Sequence, residues 1–296
     1  MLASALRFFL LIELASYVAV GVRFFDLSVA QGVASALAWM IGARGGFVGF
    51  TYAFASTQRA QSPPIGLFSA LCMGLAEWLS FLVLFMLIQP FERIWLGRDR
   101  MAADRPVVLL VHGYGCNRGA WWWLRRHLER AGFAVATVNL EPPYTDIAHF
   151  VTQLDRRIES VCSETGCERL ILVGHSMGGL VARAYLVRFG SGRVSRVVTL
   201  ATPHAGTALA FLGIGKNARQ MEPTSVWLKD LWRDQPDIPM VSVRTSHDNF
   251  VVPQDHQRYP PARDVELPAL GHLAMLFSSR TLRALLAALE KPADAD

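Results

Sequence analysis

The residue best suited to chemistry in this sequence is Ser176, which lies in the pentapeptide Gly174-His175-Ser176-Met177-Gly178, called the nucleophile elbow below. An apolar run, RLILVG, leads into the elbow and predicts a strand, and GLVARAYLVRF follows it and predicts a helix. Glycines around the serine permit a tight, strained turn that lifts the hydroxyl above the edge of a sheet. The pattern predicts a nucleophilic serine, and a chance glycine-rich turn is the alternative.

A serine hydroxyl becomes a good nucleophile only when a base accepts its proton and an acid orients that base. In parallel sheets that carry such an elbow, the order along the chain is serine, acid, histidine, each after a later strand. The predicted strand IPMVSVR leads into Asp248, and the strand-like RDVELPAL leads into His272. Asp248 is therefore the predicted acid and His272 the predicted base. Asp255 and Asp264 compete with Asp248, but neither directly follows a strand.

Four other histidines are candidates for the base and are set aside by position. His247 and His256 share the loop of the acid and are interpreted as surface or supporting residues. His175 adjoins the serine and is predicted to point away from it, and His204 belongs to a different loop.

The oxyanion that forms during acyl transfer needs preorganised backbone donors. The first predicted strand of this half ends in His112-Gly113-Tyr114-Gly115, where the glycines let the backbone turn inward. The predicted donors are the backbone amides of Tyr114 and of Met177, the residue after the nucleophile. A simple glycine turn into a helix is the alternative for this loop.

Short apolar runs separated by helical stretches begin after Pro106 and predict an α/β fold, a parallel sheet covered by helices on both faces. The runs are VVLLV (107–111), FAVATVNL (133–140), RLILVG (169–174), VSRVVTLA (194–201) and IPMVSVR (238–244).

Four ordered motifs, HGYG, GHSMGGLVARAY, VTLATPHAGT and DNFVVP, resemble the α/β-hydrolase fold, and specifically bacterial triacylglycerol lipases and related esterases. The resemblance covers Pro106 to Leu289 and implies ester hydrolysis through an acyl-enzyme intermediate, with no cofactor. The N-terminal apolar segments depart from the secreted lipases. No clear pair of aspartates flanks His272 as in the calcium site of some such lipases, so no metal is predicted.

Residues 205–232 fall where hydrolases of this fold insert a lid, and their apolar side chains suit either an acyl chain or packing against the sheet. The tryptophan run 121–123 could line an acyl pocket or lie at a membrane surface. At helical spacing, however, Trp121, Leu124 and Leu128 predict a core face.

The chain before the hydrolase motifs is largely apolar and predicts a helical membrane region. A helix from Ile65 to Ile88 would be roughly 36 Å long, more than the ~30 Å hydrocarbon core, and carries only Glu77 as a charge. Leu6 to Val22 predicts a retained first span, since no bounded small-residue cleavage site follows. Leu27 to Phe54, interrupted by glycines and Arg44, predicts one tilted span or a broken hairpin. Three spans are predicted, with two as the alternative.

The predicted organisation is a transmembrane helical region (1–90), a linker rich in Pro, Gly and Arg (91–105) and an α/β-hydrolase domain (106–296). Four arginines follow the last span: Arg93, Arg98, Arg100 and Arg105. The positive-inside rule then predicts a multi-pass protein of a bacterial inner membrane with its catalytic domain in the cytoplasm.

Ionisable side chains within the apolar region are costly in a membrane and require an explanation. Glu13, Arg44 and Glu77 lie there. A pair between Arg44 and a carboxylate, which holds the helices in register, is favoured over a proton path.

Composition agrees with a membrane protein and excludes two classes of partner. Hydrophobic residues are 52 % and charged residues 18 % of the chain, against roughly 25 % charged in a soluble domain. The net charge is +5, but the basic residues form no stripe, so no nucleic acid is predicted as a partner. The four cysteines form no CxxC pair, which argues against zinc. Cys162 and Cys167 could pair in an oxidising compartment.

The sequence thus predicts a membrane-anchored serine hydrolase that cleaves lipid-like acyl esters, with no obligate protein partner evident. An acyl-thioesterase or acyltransferase that uses the same triad is the nearer alternative. A membrane scaffold without turnover is the second, and the intact serine, acid and base argue against it.

Overall fold

The computed structural model describes residues 1–58, 63–102 and 104–290, so residues 291–296 of the predicted hydrolase domain lie outside the described part. Helices make up its N-terminal region: α1 (Leu2–Phe24), α2 (Val29–Thr57) and α3 (Leu67–Leu82), followed by a π-helical turn (Val83–Ile88), a 3-10 turn (Gln89–Phe91) and α4 (Glu92–Leu96). By length and composition, three stretches could each cross a membrane: Leu2–Phe24, Val29–Thr57 and the continuous Leu67–Leu96. The middle predicted segment is one continuous helix rather than a broken hairpin.

Local chemistry explains where α2 begins and how closely α3 approaches it. The Ser28 hydroxyl accepts from the Gln31 amide, and the Gln31 side chain accepts from the Ser28 amide, which together form a capping box. At Gly45, a Cβ atom would lie 3.3 Å from the indole nitrogen of Trp78 on α3. That nitrogen donates to the Ile41 carbonyl at 3.1 Å. The glycine in α2 therefore makes room for the tryptophan of α3.

The ionisable residues of the helical region have two different partners. Arg44 on α2 pairs with Glu13 on α1, as the sequence predicted for a register-fixing pair. Glu77 on α3 instead points at the loop after the last strand, where it accepts hydrogen bonds from the amides of Leu273 and Ala274. The two carboxylates therefore serve different contacts.

The C-terminal part is built on a six-stranded sheet. Its strands are β1 (Val107–Val111), β2 (Ala134–Val138), β3 (Leu170–His175), β4 (Val194–Leu200), β5 (Met240–Arg244) and β6 (Arg263–Glu266). They lie in the order β2-β1-β3-β4-β5-β6, and every neighbouring pair is parallel. The predicted parallel sheet is confirmed.

Helices cover both faces of this sheet: α5 (Trp122–Arg130), α6 (Ile147–Thr165), α7 (Met177–Phe189), α8 (Lys216–Gln220), α9 (Val226–Arg233) and α10 (Ser279–Glu290). Successive strand side chains alternate between the faces. Leu109 of β1 thus belongs to the core beneath α6 and α7, whereas Leu110 belongs to the core beneath α5 and α10. Leu84, which follows α3, is fully buried in that second core. The helical region therefore shares a core with the sheet.

Residues 91–105, predicted as a linker, carry a buried contact with the sheet domain. The Asp99 carboxylate accepts from Arg125 at 2.9 Å and from Arg157 at 2.8 Å, and it also accepts from the Thr137 amide at 2.8 Å. Its side chain is only 8 % exposed. This segment is held against the domain by ion pairs rather than acting as a plain tether, because Asp99 neutralises arginines from two helices.

The third apolar stretch, Leu67–Leu96, crosses the carboxyl edge of the sheet. Glu77 contacts the loop after β6. Farther along, Gln89 accepts from the Asn117 amide in the loop after β1, and Glu92 accepts from the Asn139 side chain after β2. Because β6 and β2 are opposite edges of the sheet, Leu67–Leu96 spans the full width of the sheet. It does so at the carboxyl ends of the strands, where parallel α/β sheets bind ligands.

Packing bears on two side-chain predictions from the sequence. Trp121, Leu124 and Leu128 are fully buried in the core beneath α5, as their helical spacing predicted. The thiols of Cys162 and Cys167 are free and lie 3.4 Å apart, at the end of α6 and just beyond it.

Candidate active site

The nucleophile elbow forms a sharp turn between β3 and α7. Ser176 has φ of 55°, a left-handed value that L residues adopt rarely and at a cost on the order of 1–3 kcal/mol. Its amide donates to the Leu200 carbonyl at 2.8 Å, which fixes the turn to β4. A Cβ atom at Gly178 would overlap the Val111 carbonyl oxygen, so the glycine allows α7 to start directly against β1.

The predicted acid and base are hydrogen-bonded to each other. Asp248 follows β5 and is fully buried, and its Oδ2 lies 2.9 Å from Nδ1 of His272. The other oxygen, Oδ1, accepts from the amides of Phe250 and Val251, both at 2.7 Å. With Nδ1 donating to Asp248, Nε2 of His272 is left as the proton acceptor.

Electrostatics favour the protonated form of His272. Burial lowers the pKa of this imidazole, but the charge and hydrogen bond of Asp248 raise it, and the charge of Glu77 raises it further. The net result is a pKa above the ordinary 6.5 of histidine. His272 is thus a stronger base than a free imidazole.

The structure corrects the prediction that His175 points away from the site. Its ring lies 4.7 Å from the His272 ring, and its Nε2 donates to the His272 carbonyl at 3.2 Å. Being two residues after Val173, His175 projects to the same face of the sheet, where the loop after β6 returns. Burial, and then the charge of His272, hold the pKa of His175 well below 6.5. It supports the base as a neutral ring.

The loop predicted to hold the oxyanion closely approaches the serine. A Cβ atom at Gly113 would lie 2.9 Å from the Ser176 Cβ, so glycine is needed for this approach. The Tyr114 hydroxyl is occupied by Ile214, donating to its carbonyl and accepting from its amide, both at 2.8 Å. Only the backbone amide of Tyr114 is therefore a candidate donor. The Met177 amide is at the first position of α7, where helix amides lack intrahelical acceptors.

The remaining loop histidines have structural partners. His247 is buried and its Nε2 donates to the Pro63 carbonyl at 3.0 Å, and Nδ1 of His256 contacts the Gly206 carbonyl at 3.0 Å. His204 is fully buried and stacks on Tyr259 at 4.8 Å. Asp255, the competitor for the acid, is exposed and pairs with Arg258.

Ser176 and His272 line one cavity of about 400 Å³ whose remaining walls are mostly apolar. Two walls come from the helical region and one from the predicted lid segment. Among the apolar residues of these walls are Phe47 and Phe50 (α2), Phe81 and Phe85 (α3 and the turn after it), and Leu209 and Leu212. Sequence reasoning missed the four phenylalanines, because their placement depends on how α2 and α3 pack on the sheet domain.

The predicted lid segment, 205–232, divides into two parts with different roles. Its first part lines the cavity through Leu209, Leu212 and Ile214, and the last of these is 71 % exposed. Leu228 and Leu231 of α9 are buried in the main core. Packing in the core therefore explains the second part of the segment, and the first part lines the cavity.

Comparisons with known proteins concern the sheet domain. A family model described as the alpha/beta hydrolase fold matches residues 106–227. The chain is 33 % identical to a triacylglycerol lipase of Burkholderia plantarii over 123 residues, which are 39 % of this chain and 34 % of the lipase. It is 38 % identical to the pimeloyl-[acyl-carrier protein] methyl ester esterase of Vibrio atlanticus over 102 residues, 34 % of this chain and 38 % of the esterase. The chain thus spans about a third of the length of such curated relatives.

Solved structures show the same fold at lower sequence identity. The mature lipase BlEst2 of Bacillus licheniformis superposes with a TM-score of 0.58 and 19 % identity, covering 66 % of this chain and 96 % of the lipase. Lipase B of Aspergillus fumigatus gives 0.59 and 16 %, covering 67 % of this chain and 57 % of the lipase. Together with the parallel sheet and its flanking helices, these likenesses confirm the predicted fold.

Proposed function

We propose that this chain, which has the α/β-hydrolase fold, is a membrane-anchored serine hydrolase that cleaves carboxylic esters with apolar acyl groups. The observation that carries the proposal is the arrangement around the cavity: Ser176 and His272 line it, and Asp248 holds His272 by a 2.9 Å hydrogen bond. The similarity to lipases and esterases supports ester hydrolysis as the reaction.

In the first half of the proposed cycle, Nε2 of His272 takes the proton of the Ser176 hydroxyl as its oxygen attacks the ester carbonyl carbon. The amides of Tyr114 and Met177 stabilise the resulting oxyanion. The tetrahedral intermediate then expels the alcohol, which leaves with the proton from His272. An acyl group remains bound to Ser176.

In the second half, His272 takes a proton from water as the water oxygen attacks the acyl carbonyl carbon. The second intermediate collapses, and the acid leaves as the Ser176 oxygen regains the proton. Asp248 keeps Nδ1 protonated throughout and so keeps Nε2 free to accept.

The walls of the cavity support an apolar acyl group as the substrate feature. Phenylalanines from α2, α3 and the turn after α3 line the same cavity as Ser176. The same helices expose large apolar residues such as Trp39 and Leu71. Exposed apolar surface of this kind is suited to lipid contact. We therefore infer that the ester partitions into the membrane next to the cavity. Because four arginines (Arg93, Arg98, Arg100 and Arg105) follow the apolar run that ends at Ile88, we place the sheet domain on the cytoplasmic side.

The test is a panel of substrates offered to the full-length protein in lipid vesicles, with Ser176→Ala as the control. The panel contains water-soluble short-chain esters, long-chain esters dispersed in the vesicles, matched long-chain thioesters, and an acceptor alcohol. We expect Ser176-dependent release of fatty acid from the long-chain esters. Turnover confined to short soluble esters would contradict the membrane substrate, and a preference for thioesters or transfer to the alcohol would favour the thioesterase or acyltransferase alternative.

A further inference from the structure

The loop that carries His272 is bound by side chains of the helical region rather than by the sheet domain alone. Glu77 of α3 is fully buried, and its carboxylate accepts from the Leu273 amide at 3.0 Å and from the Ala274 amide at 2.8 Å. A Cβ atom at Gly271 would overlap this carboxylate. One acidic side chain therefore binds the two residues after the base and lies against the residue before it.

A second helix reaches the same loop through Asn249. The Asn249 side chain donates to the Thr51 hydroxyl of α2 at 2.8 Å and accepts from the His272 amide at 3.1 Å. Thr51, in turn, donates to the Val48 carbonyl within its own helix. The backbone amide of the base is thus linked through one residue to α2.

A charged carboxylate buried in an apolar helix is costly, and its cost is offset only where it gains strong hydrogen bonds. Glu77 gains two backbone donors from the residues after His272, whereas Glu13 pairs with Arg44. The register-fixing function that explains Glu13 therefore does not explain Glu77.

We propose that Glu77 is a positioning residue for the reaction, which sets the place of His272 against Ser176 and adds negative charge beside the imidazole. This inference rests on the proposed hydrolase function. If Glu77 has this role, the helical region both anchors the catalytic centre to the membrane and contributes a residue that positions its base.

Where Glu77 is ionised, its charge has a consequence for His272 that packing alone would lack. The titratable groups facing His272 are Asp248, Glu77 and His175, with Tyr52 beside the loop at Gly271. Both carboxylates raise the pKa of His272. Removing the charge of Glu77 should lower this pKa, and the acid limb of kcat/KM should then move to lower pH, because His272 would stay neutral in more acidic solution.

The experiment compares the full-length wild type with Glu77→Gln and Glu77→Leu, using a soluble p-nitrophenyl ester in detergent micelles. Glu77→Gln keeps the shape and one acceptor oxygen but loses the charge, and Glu77→Leu loses both acceptors. We expect kcat to fall about 10-fold in Glu77→Gln and about 100-fold in Glu77→Leu, with KM changed by less than about twofold. The acid limb of Glu77→Gln should lie about half a pH unit below that of the wild type.

Ser80→Ala is the matched control, since this buried residue is one turn further along α3 and its hydroxyl bonds to Ala76 within the helix. It should keep wild-type kcat and the wild-type acid limb. An active wild type with unchanged kcat in Glu77→Gln would overturn the inference and leave the proposed function intact. A fall in kcat with an unmoved acid limb would also overturn it, because Glu77 would then serve only the fold. A wild type without any hydrolysis would remove the proposed function itself.

Discussion

At the scale of single residues, the proposed catalysis depends on the ionisation of His272. Only its neutral form accepts the serine proton, and its pKa is raised above 6.5 because Asp248 and Glu77 outweigh the effect of burial. We therefore expect kcat/KM for a soluble ester to fall as the pH drops, with a midpoint above 6.5. His175, whose pKa is held well below 6.5, should add no limb in the neutral range. A pH profile of kcat/KM between about pH 5 and about pH 9 checks this, and a midpoint below 6.5 would count against the assigned base.

The acid can be tested against its nearest competitor in the same loop. Asp248→Asn removes the charge that holds Nδ1 of His272, so we expect kcat to fall by about three to four orders of magnitude. Asp255→Asn is the matched control, because Asp255 is exposed and pairs with Arg258. Steady-state kinetics of both variants decide the matter: equal losses, or a larger loss at Asp255, would show that Asp248 is not the acid.

The sequence signals of the three candidate catalytic residues are local. Ser176 stands among glycines after an apolar strand, and Asp248 and His272 each follow a strand-like run. His175 was misjudged because its environment comes from a loop far along the chain. Glu77 was recognised only as an unexplained charge in an apolar helix, since its partners, the amides of Leu273 and Ala274, are backbone groups that leave no trace in sequence.

At the scale of elements, the elbow depends on close contact between α7 and β1. The methyl group of Gly178→Ala would overlap the Val111 carbonyl oxygen. This oxygen belongs to the backbone and cannot move away by rotating a side chain. We expect the variant to lose about 1–3 kcal/mol of stability or to fail to fold. Gly192→Ala is the control, because a Cβ atom at Gly192 meets nothing within 4 Å. Thermal unfolding of the two variants in detergent is the measurement, and equal midpoints would contradict the packing described for the elbow.

The elements themselves were predictable where a single pattern dominates. The apolar run 107–111 coincides with β1, and the run 169–174 overlaps β3, its parallel neighbour. Both were predictable because strands buried on both faces have continuous apolar sequences. The Pro, Gly and Arg content of residues 91–105 predicted a linker. In the structure, Asp99 of this segment forms ion pairs with arginines of α5 and α6. The composition of a segment describes only that segment, so it does not predict ion pairs with residues far away in the sequence.

At the scale of the whole molecule, the helical region and the sheet domain share a core and a site. Leu84 is fully buried with the residues beneath α5, and Thr51 and Glu77 hold the loops of the acid and base. We expect a chain beginning at Gly97 to expose this core and to aggregate or remain unlabelled by an active-site probe. Sedimentation and probe labelling of this chain beside the full-length protein test the prediction. A soluble monomer that labels at the full-length rate would show that the sheet domain is independent.

The most direct test of the central claim is covalent labelling by a fluorophosphonate probe, which reacts only with an activated serine. The full-length protein in lipid vesicles is labelled, the modified peptide is located by mass spectrometry, and Ser176→Ala is treated in parallel. We expect one labelled residue, Ser176, and no labelling in the variant. Labelling that persists in Ser176→Ala, or a folded wild type that takes up no probe, would contradict the central claim.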